Sequence, residues 1–334
     1  MIKNKLVYFL ALALCLSCTS ETEKHQNSRN NIVNVKDKIK EIEIKEVLIN
    51  GYARVYIMNN YFIIVDSKSF DNQIHIFDKN DNFKYLAGTA PRGQGPDEIT
   101  VIGHVEPDNT GKILYVTDHG KLKIFSYDLD SVLANPKYRP EEKLRMNNTI
   151  FPEKYTYIND TLCIGVAIAP IGYSDFRPVI AKWNMSTGEI IPMKYEHPEI
   201  EKPRIACSVS MEHGIYVTCY HYHDLITICN LDGNLKYNIY GRSWDNRRSN
   251  EIYHYGKVIF VEDKILASYS GGRNFSDDER PTKFLIFDIH GDYLKTIETG
   301  YKIDQFCYDQ DNNRILLHLD AEIQFACLDL DGII

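Results

Sequence analysis

The chain has 334 residues, 44% hydrophobic and 25% charged, enough apolar material for a sizeable core in one large domain or two ordinary ones. Its formal net charge of −8, with no window of clustered Lys and Arg, argues against a nucleic-acid partner, because neutralising phosphates requires such clusters. The 23 tyrosines, with no Ala- or Leu-rich helical stretch after the N-terminus, favour strands, whose half-buried pleated surfaces suit aromatic side chains.

The first element is an export signal. "MIKNKLVYFLALALCLSC" sets two lysines before an apolar run over residues 6–16, too short to span a bilayer as a mature helix. The Ser17-Cys18 junction resembles a bacterial lipobox, in which the signal (residues 1–17) is cut before the cysteine and the Cys18 thiol is acylated. An ordinary signal with an incidental cysteine is the alternative, since Cys15 stands where Leu is usual. Loss of Lys3 and Lys5 with the signal would move the charge from −8 to −10. The polar stretch "TSETEKHQNSRNN" lacks apolar periodicity, so residues 18–38 read as a flexible lipid-anchored tether and residues 39–334 as the folded domain.

Within that domain one phrase recurs: a short apolar strand, a turn bearing Asp, Asn or Gly, and a second apolar strand. It begins at Ile74, Leu122, Val179, Leu225, Phe284 and Ile323, each time preceded by another hairpin of the same logic. Equivalent points at Phe77, Phe125, Trp183, Cys229, Phe287 and Cys327 are 40 to 58 residues apart. Four strands per unit, a to d, and six units predict an all-β fold, a six-bladed β-propeller. The sixth unit ends soon after its third strand, so "IKEIEIKEVLING", residues 39–51, is expected to supply the missing outer strand and close the ring.

Between units one and two lies "LAGTAPRGQGPDEI", residues 86–99. It matches neither the phosphate-loop nor the dinucleotide pattern, and no helical period follows it, so its glycines are expected to provide positive φ in a tight inter-blade crossing. The run over residues 74–128 resembles an NHL-type propeller repeat, and "GQGPDE" behind a lipobox resembles the six-bladed TolB-like propeller lipoproteins of Bacteroidetes-type bacteria. That resemblance implies an exported propeller of the cell envelope, an outer-membrane lipoprotein, and brings no catalytic residue with it.

The domain cysteines are Cys163, Cys207, Cys219, Cys229, Cys307 and Cys327, with no C-x-x-C pair. Cys219 with Cys229, and Cys307 with Cys327, are placed to face each other across hairpins, although their apolar surroundings favour free buried thiols. Variable b–c connections point to a ligand-binding face built by Asp66, Asp118, His119, Tyr173, Asp175, His221, His223, Arg273 and Asp320. His221 and His223 in "CYHYHD" share a strand parity and are the metal-ligand candidates. Asp66, Asp118 and Asp320 end equivalent b strands, where converging carboxylates would bind Ca²⁺ or do acid–base work. No cofactor is otherwise expected. The resulting expectation is a lipid-anchored binding module with the membrane, and a glycan or an envelope protein, as partners. A hydrolase or lyase acting on a sugar or lactone through the same face is the alternative, with no catalytic motif to support it.

Overall fold

Alternating apolar residues closed by Asn-, Asp- and Gly-bearing turns lay down six antiparallel sheets in the computed structural model, which describes residues 22–147, 149–172, 175–247 and 249–334. Blade 1 pairs strands a to d, Ala53–Met58, Tyr61–Asp66, Asn72–Asp78 and Lys84–Pro91, in chain order. Blade 2 repeats this with Ile102–Pro107, Ile113–Asp118, Lys123–Asp128 and Glu141–Arg145, and blade 3 with Phe151–Asn159, Leu162–Pro170, Phe176–Trp183 and Ile190–Pro192. Blade 4 uses Ile205–Ser210, Ile215–Tyr220, Leu225–Asn230 and Leu235–Gly241. Blade 5 uses Ile252–Val261, Lys264–Arg273, Lys283–Asp288 and Tyr293–Glu298. The a strands are innermost and meet around a central channel.

Each pair of neighbouring blades shares its own apolar cluster, from Val116 and Ile76 between blades 1 and 2 to Phe306 and Phe284 between blades 5 and 6. Burying one such side chain contributes about 1.5–3 kcal/mol, so cohesion is spread around the ring. Blade 6 takes strands a to c from Ile303–Asp309, Arg314–Leu319 and Phe325–Asp329. Its strand d is Lys40–Glu41, antiparallel to Phe325–Asp329 with Glu41 opposite Ala326. The N-terminal segment therefore closes the ring, but only its first part pairs; Ile42 and Ile49 then bury themselves at the seam between blades 6 and 1. The seam also holds a polar cluster. The fully buried Lys79 ammonium pairs with Asp309, while Arg314 Nε reaches Asp309 at 2.8 Å and its other nitrogen donates to the Lys79 carbonyl at 3.1 Å.

Two local expectations give way. Residues 23–38 are not a free tether: Glu23–Gln26 lies parallel to strand d of blade 4, and Ile32–Asn34 parallel to strand d of blade 5. Much of the segment is polar because it binds through main-chain ladders and charges, with Lys24 2.7 Å from Asp292, while Val35 near its end buries itself in the cluster between blades 5 and 6. Cys18, the expected signal over residues 1–17 and residues 19–21 lie outside the described residues. In unit two the second half of the phrase is a helix, α1, Leu129–Ala134. Asp128 caps it by accepting from the Ser131 N–H at 2.8 Å, and Leu129 and Val132, three apart, face the core.

The cysteines among the described residues are free thiols. Cys219 lies opposite Ile226 and Cys229 opposite Tyr216, while Cys307 and Cys327 flank Leu316 from two sides, so neither proposed pair is adjacent. No helix among the described residues is long and apolar enough to cross a membrane.

The seam generates a test. Burial pushes the Asp309 carboxyl up, but hydrogen bonds from Lys79, Asn312 and Arg314 outweigh it and hold the group below its ordinary value. A lowered native carboxyl contributes stability that is present above about pH 4 and is lost as pH falls through the native value. Asp309→Ala, which leaves the buried Lys79 ammonium with Asp311, 2.8 Å away, as its remaining carboxylate, is expected to cost about 3 kcal/mol in urea denaturation at pH 7. It should also flatten the loss of stability that wild type shows below about pH 4; an unchanged acid limb would contradict this account.

Candidate functional site

In blades 1 to 3 the innermost strands alternate between core and channel: Val55, Val105 and Tyr155 are buried between blades, whereas Arg54 and Tyr56, His104 and Glu106, and Lys154 and Thr156 line the channel. Blade 4 contributes Cys207 and Val209, blade 5 Tyr253, Lys257 and Ile259, and blade 6 Asp304 and Gln305. These side chains enclose a cavity of about 670 Å³ that opens on the face formed by the b–c and d–a connections. A second cavity of about 310 Å³ shares Tyr56, Val209, Lys257 and Ile259 with it and leads to Ile57, Phe260 and Tyr308 at the other end.

Lys257 sits at the waist between them because its strand is irregular there. Register shifts between Tyr255 and Val258, and Gly256 lets the Ser268 side chain approach: a Cβ on that glycine would meet Ser268 Oγ at 2.6 Å. Ser268 Oγ accepts from the Lys257 N–H at 2.9 Å, and Lys257 Nζ donates to the Phe306 carbonyl at 2.6 Å. Burial is the main cause lowering the Lys257 pKa to about 8; the Lys154 and Arg54 charges push the same way, against Cys307 and Glu106. Glu106 is already engaged, one oxygen accepting from the Tyr157 N–H at 2.9 Å and the other 3.1 Å from His104 Nε2.

Towards the mouth the charges are neutralised. Arg280 lies 2.7 Å from Asp304 and 3.1 Å from Asp320, His318 lies 3.0 Å from Asp304, and Lys302 lies 3.7 Å from Asp277. His221 stands at this rim with its ring stacked on Tyr253, centroids 5.5 Å apart, and its Nδ1 2.6 Å from the Tyr255 carbonyl. Burial lowers its pKa.

Of the expected face, His221 and Asp320 are the members that line this cavity among the described residues. Asp66 and Asp118 are fully buried latches rather than converging ligands. Asp66 accepts from the backbone and side chain of Asn50 at 2.9 Å each and from the Lys68 N–H at 2.9 Å. Asp118 accepts from the N–H groups of Thr100, Val101, Gly120 and Lys121. Both carboxylates thereby tie the approach to strand a to the end of strand b of the same blade. His119 packs edge-on against Phe151 with burial lowering its pKa, Asp175 pairs with Lys202, and Arg273 is exposed away from the cavity. Tyr173 lies outside the described residues.

The "CYHYHD" pair does not act together. His221 turns to the channel rim, while His223 is buried against Trp244 with Nδ1 2.9 Å from the Asp245 carbonyl. The chain turns between them instead of continuing as a strand, which cancels the parity argument. Asp224 is the hub of this stretch: it takes Arg29 Nη1 at 3.0 Å and the Tyr255 hydroxyl at 2.9 Å. No group of three His, Cys, Asp or Glu side chains among the described residues is placed to hold a metal ion. The residues that sequence reasoning missed are Arg54, Glu106, Lys154 and Lys257. Their signal was the polar–apolar–polar alternation at the start of each unit, visible in Arg54-Val55-Tyr56 and Lys154-Tyr155-Thr156.

The sequence matches the DUF5128 family, described as a six-bladed β-propeller, over residues 43–160. No curated relative matches. Among solved structures the chain is similar to a protein of Bacteroides fragilis described as a candidate for export, 12% identical with a TM-score of 0.56, over 90% of this chain and 88% of that one. It is also similar to a DUF4221 family member from Bacteroides vulgatus, 9% identical with a TM-score of 0.56, over 86% and 94% of the two chains. U3-55K matches at the same TM-score, 9% identical, over 88% and 99%. At these identities the likenesses concern the fold alone; it is the family description that agrees with the six blades described above.

The inter-blade linker yields a second test. It connects blades 1 and 2 as expected, but Gly93 and Gly95 do not carry positive φ; Ala90 does, at 59°. The glycines make room for Glu98, whose carboxylate accepts from the Gly95 N–H at 2.7 Å and lies 1.9 Å from where a Gly93 Cβ would be. Because the clashing atoms are the free end of a half-buried side chain that can swing aside at the loss of its hydrogen bond, Gly93→Ala should cost about 1 kcal/mol by thermal denaturation. In a Glu98→Ala background most of that cost should vanish; an equal penalty in both backgrounds would return the explanation to the backbone.

Proposed function

We propose that this propeller is an exported binding module whose ligand enters the central channel from the b–c and d–a face. The observation that carries the reading is the cavity of about 670 Å³, walled by side chains from all six blades, in the size range of small-molecule sites. The half-buried Tyr253 ring, stacked with His221 at the rim, offers a flat apolar surface beside the polar wall, which suits a ring-shaped polar ligand. Replacing Thr156, which faces the channel from strand a of blade 3, by Trp is expected to fill the passage. A screen of sugars, sugar acids and lactones by thermal shift should find ligands for wild type that Thr156→Trp no longer binds, while that variant's own melting temperature moves little. Ligands that bind both proteins equally would place the site elsewhere.

The export signal and the lipobox-like Cys18 support a membrane address, and the belt that residues 23–38 form along blades 4 and 5 alters what the address means. With Glu23 already paired to blade 4, five peptide steps separate Cys18 from the folded domain, a span of at most about 18 Å. An acylated Cys18 would hold the outer edge of blade 4 close to the lipid surface instead of letting the propeller stand off on a long tether. Fatty-acid labelling and retention in the membrane fraction should both be lost in Cys18→Ser. Retention without labelling would assign the attachment to a protein partner.

A further inference from the structure

We infer that the channel holds a small organic oxyanion, a carboxylate- or phosphate-bearing molecule, between Arg54, Lys154 and Lys257; this deepens the channel-ligand reading and rests on it. The first argument is the contrast between mouth and interior. At the mouth Arg280 and Lys302 have carboxylate partners, whereas among the described residues none lies within 4.0 Å of the charged groups of Arg54, Lys154 or Lys257. The cavity as a whole is lined by as many carboxylates as Lys and Arg side chains, five each. Four of the carboxylates, Asp277, Glu279, Asp304 and Asp320, come from blades 5 and 6, and the one that bears on Lys257 is Glu106, both of whose oxygens are occupied by Tyr157 and His104. The positive side of the cavity is therefore the wall that carries Arg54, Lys154 and Lys257, and a low-dielectric wall dominated by one sign of charge concentrates counter-ions.

The second argument is positional. The three cations project from blades 1, 3 and 5, alternate blades of the ring, and so surround a guest instead of meeting it on one side. Local backbone devices hold two of them. Gly165 permits the close approach of the Lys154 carbonyl, which would lie 2.2 Å from a Cβ there, and Gly256 with Ser268 sets the Lys257 irregularity. Arg54 offers a planar fork matched to an oxyanion, and the two ammonium groups add point charges.

Lys257 makes the site pH-dependent. Facing it are Arg54 and Tyr56 from blade 1, Glu106 from blade 2, Lys154 from blade 3 and Cys307 from blade 6, while the blade 4 wall is Ser208 and Val209. With the empty protein's ammonium deprotonating at about pH 8, a bound anion would favour the charged form, so binding takes up protons above that pH.

The test uses protein from residue 18 onward, which keeps every described residue, with glucuronate, inorganic phosphate and neutral glucose as probes by calorimetry. Glucuronate or phosphate should bind in the millimolar range or tighter while glucose does not, the stronger of the two identifying the headgroup. Arg54→Gln, Lys154→Gln and Lys257→Met should each weaken that anion about tenfold, consistent with loss of one charge-assisted contact. Unliganded Lys154→Gln should melt no lower than wild type, since it removes a repulsive neighbour. Affinity should fall as pH rises through about 8, and Lys257→Met should lose that dependence. No response to either anion at about 10 mM, or anion binding indifferent to Arg54→Gln and Lys154→Gln, overturns the inference. Glucose binding equal to glucuronate and abolished by Thr156→Trp would overturn the anion site but keep the channel reading. Anion binding that survives Thr156→Trp would overturn both.

Discussion

Ring closure is the constraint on which the rest depends. A propeller blade cannot bury both faces alone, and here the larger apolar clusters each belong to two blades at once. If blades 6 and 1 part, the clusters that contain Phe62, Phe325 and Leu316 open, and the six innermost strands lose their common centre. Closure is achieved by pairing Lys40–Glu41 with the last long strand of the chain, and by the buried Lys79–Asp309–Arg314 cluster that joins blade 1 to blade 6. The short ladder supplies topology; the aromatic packing, with the Phe62 and Phe325 rings 6.2 Å apart and nearly perpendicular, supplies cohesion. The channel exists because six a strands are held at equal standing around an axis, so its dimensions are a consequence of the same closure.

The segment before the closing strand extends this logic outward. Strand d of a blade leaves one edge unpaired, and two of these edges, in blades 4 and 5, are covered by parallel additions from the chain's own N-terminal part. Between the additions Arg29 turns inward to Asp224 and the Tyr255 hydroxyl and lies over the rings of Tyr269 and Phe287. A single residue therefore fastens the belt to two blades. The belt also brings the N-terminal part of the chain into direct contact with blades 4 and 5, which help to shape the channel.

Much of the fold was legible in the sequence. The six repeat markers, Phe77, Phe125, Trp183, Cys229, Phe287 and Cys327, all fall in strand c of successive blades, because the strand–turn–strand phrase is fixed by local turn chemistry and alternation. Illegible features were those set by tertiary partners. The belt looked like a tether since its residues are polar, and nothing in "EKHQ" says that a blade edge waits to pair with it. Residues 129–134 looked like a strand because an Asp-capped single turn of helix and an Asp-bearing hairpin share the same short pattern. For the site, parity along strands was applied to the loops, where it does not hold, instead of to the innermost strands, where it does; His221 and His223 diverge, while Arg54 and Tyr56 do not.

Hydrogen-bond capacity separates scaffold from site more sharply than residue type does. Asp118 receives four backbone N–H groups and Asp66 three donors, so neither carboxylate retains much ability to hold a ligand. Glu98 is likewise consumed by its own loop, through the Gly95 N–H. Asp66 and Asp118 are thus devices for shaping the linker that leads to the innermost strand. The Lys257 ammonium is the opposite case: it has three protons to donate, one recorded acceptor among the described residues, and two like charges within electrostatic reach. Such a group lowers stability unless something offsets it, and closure alone does not require it, since Ile259 lines the same strand without penalty. Residues whose polar capacity is saturated explain how the propeller stands; those whose capacity is left open, at the one place every blade reaches, are where a ligand has something to gain.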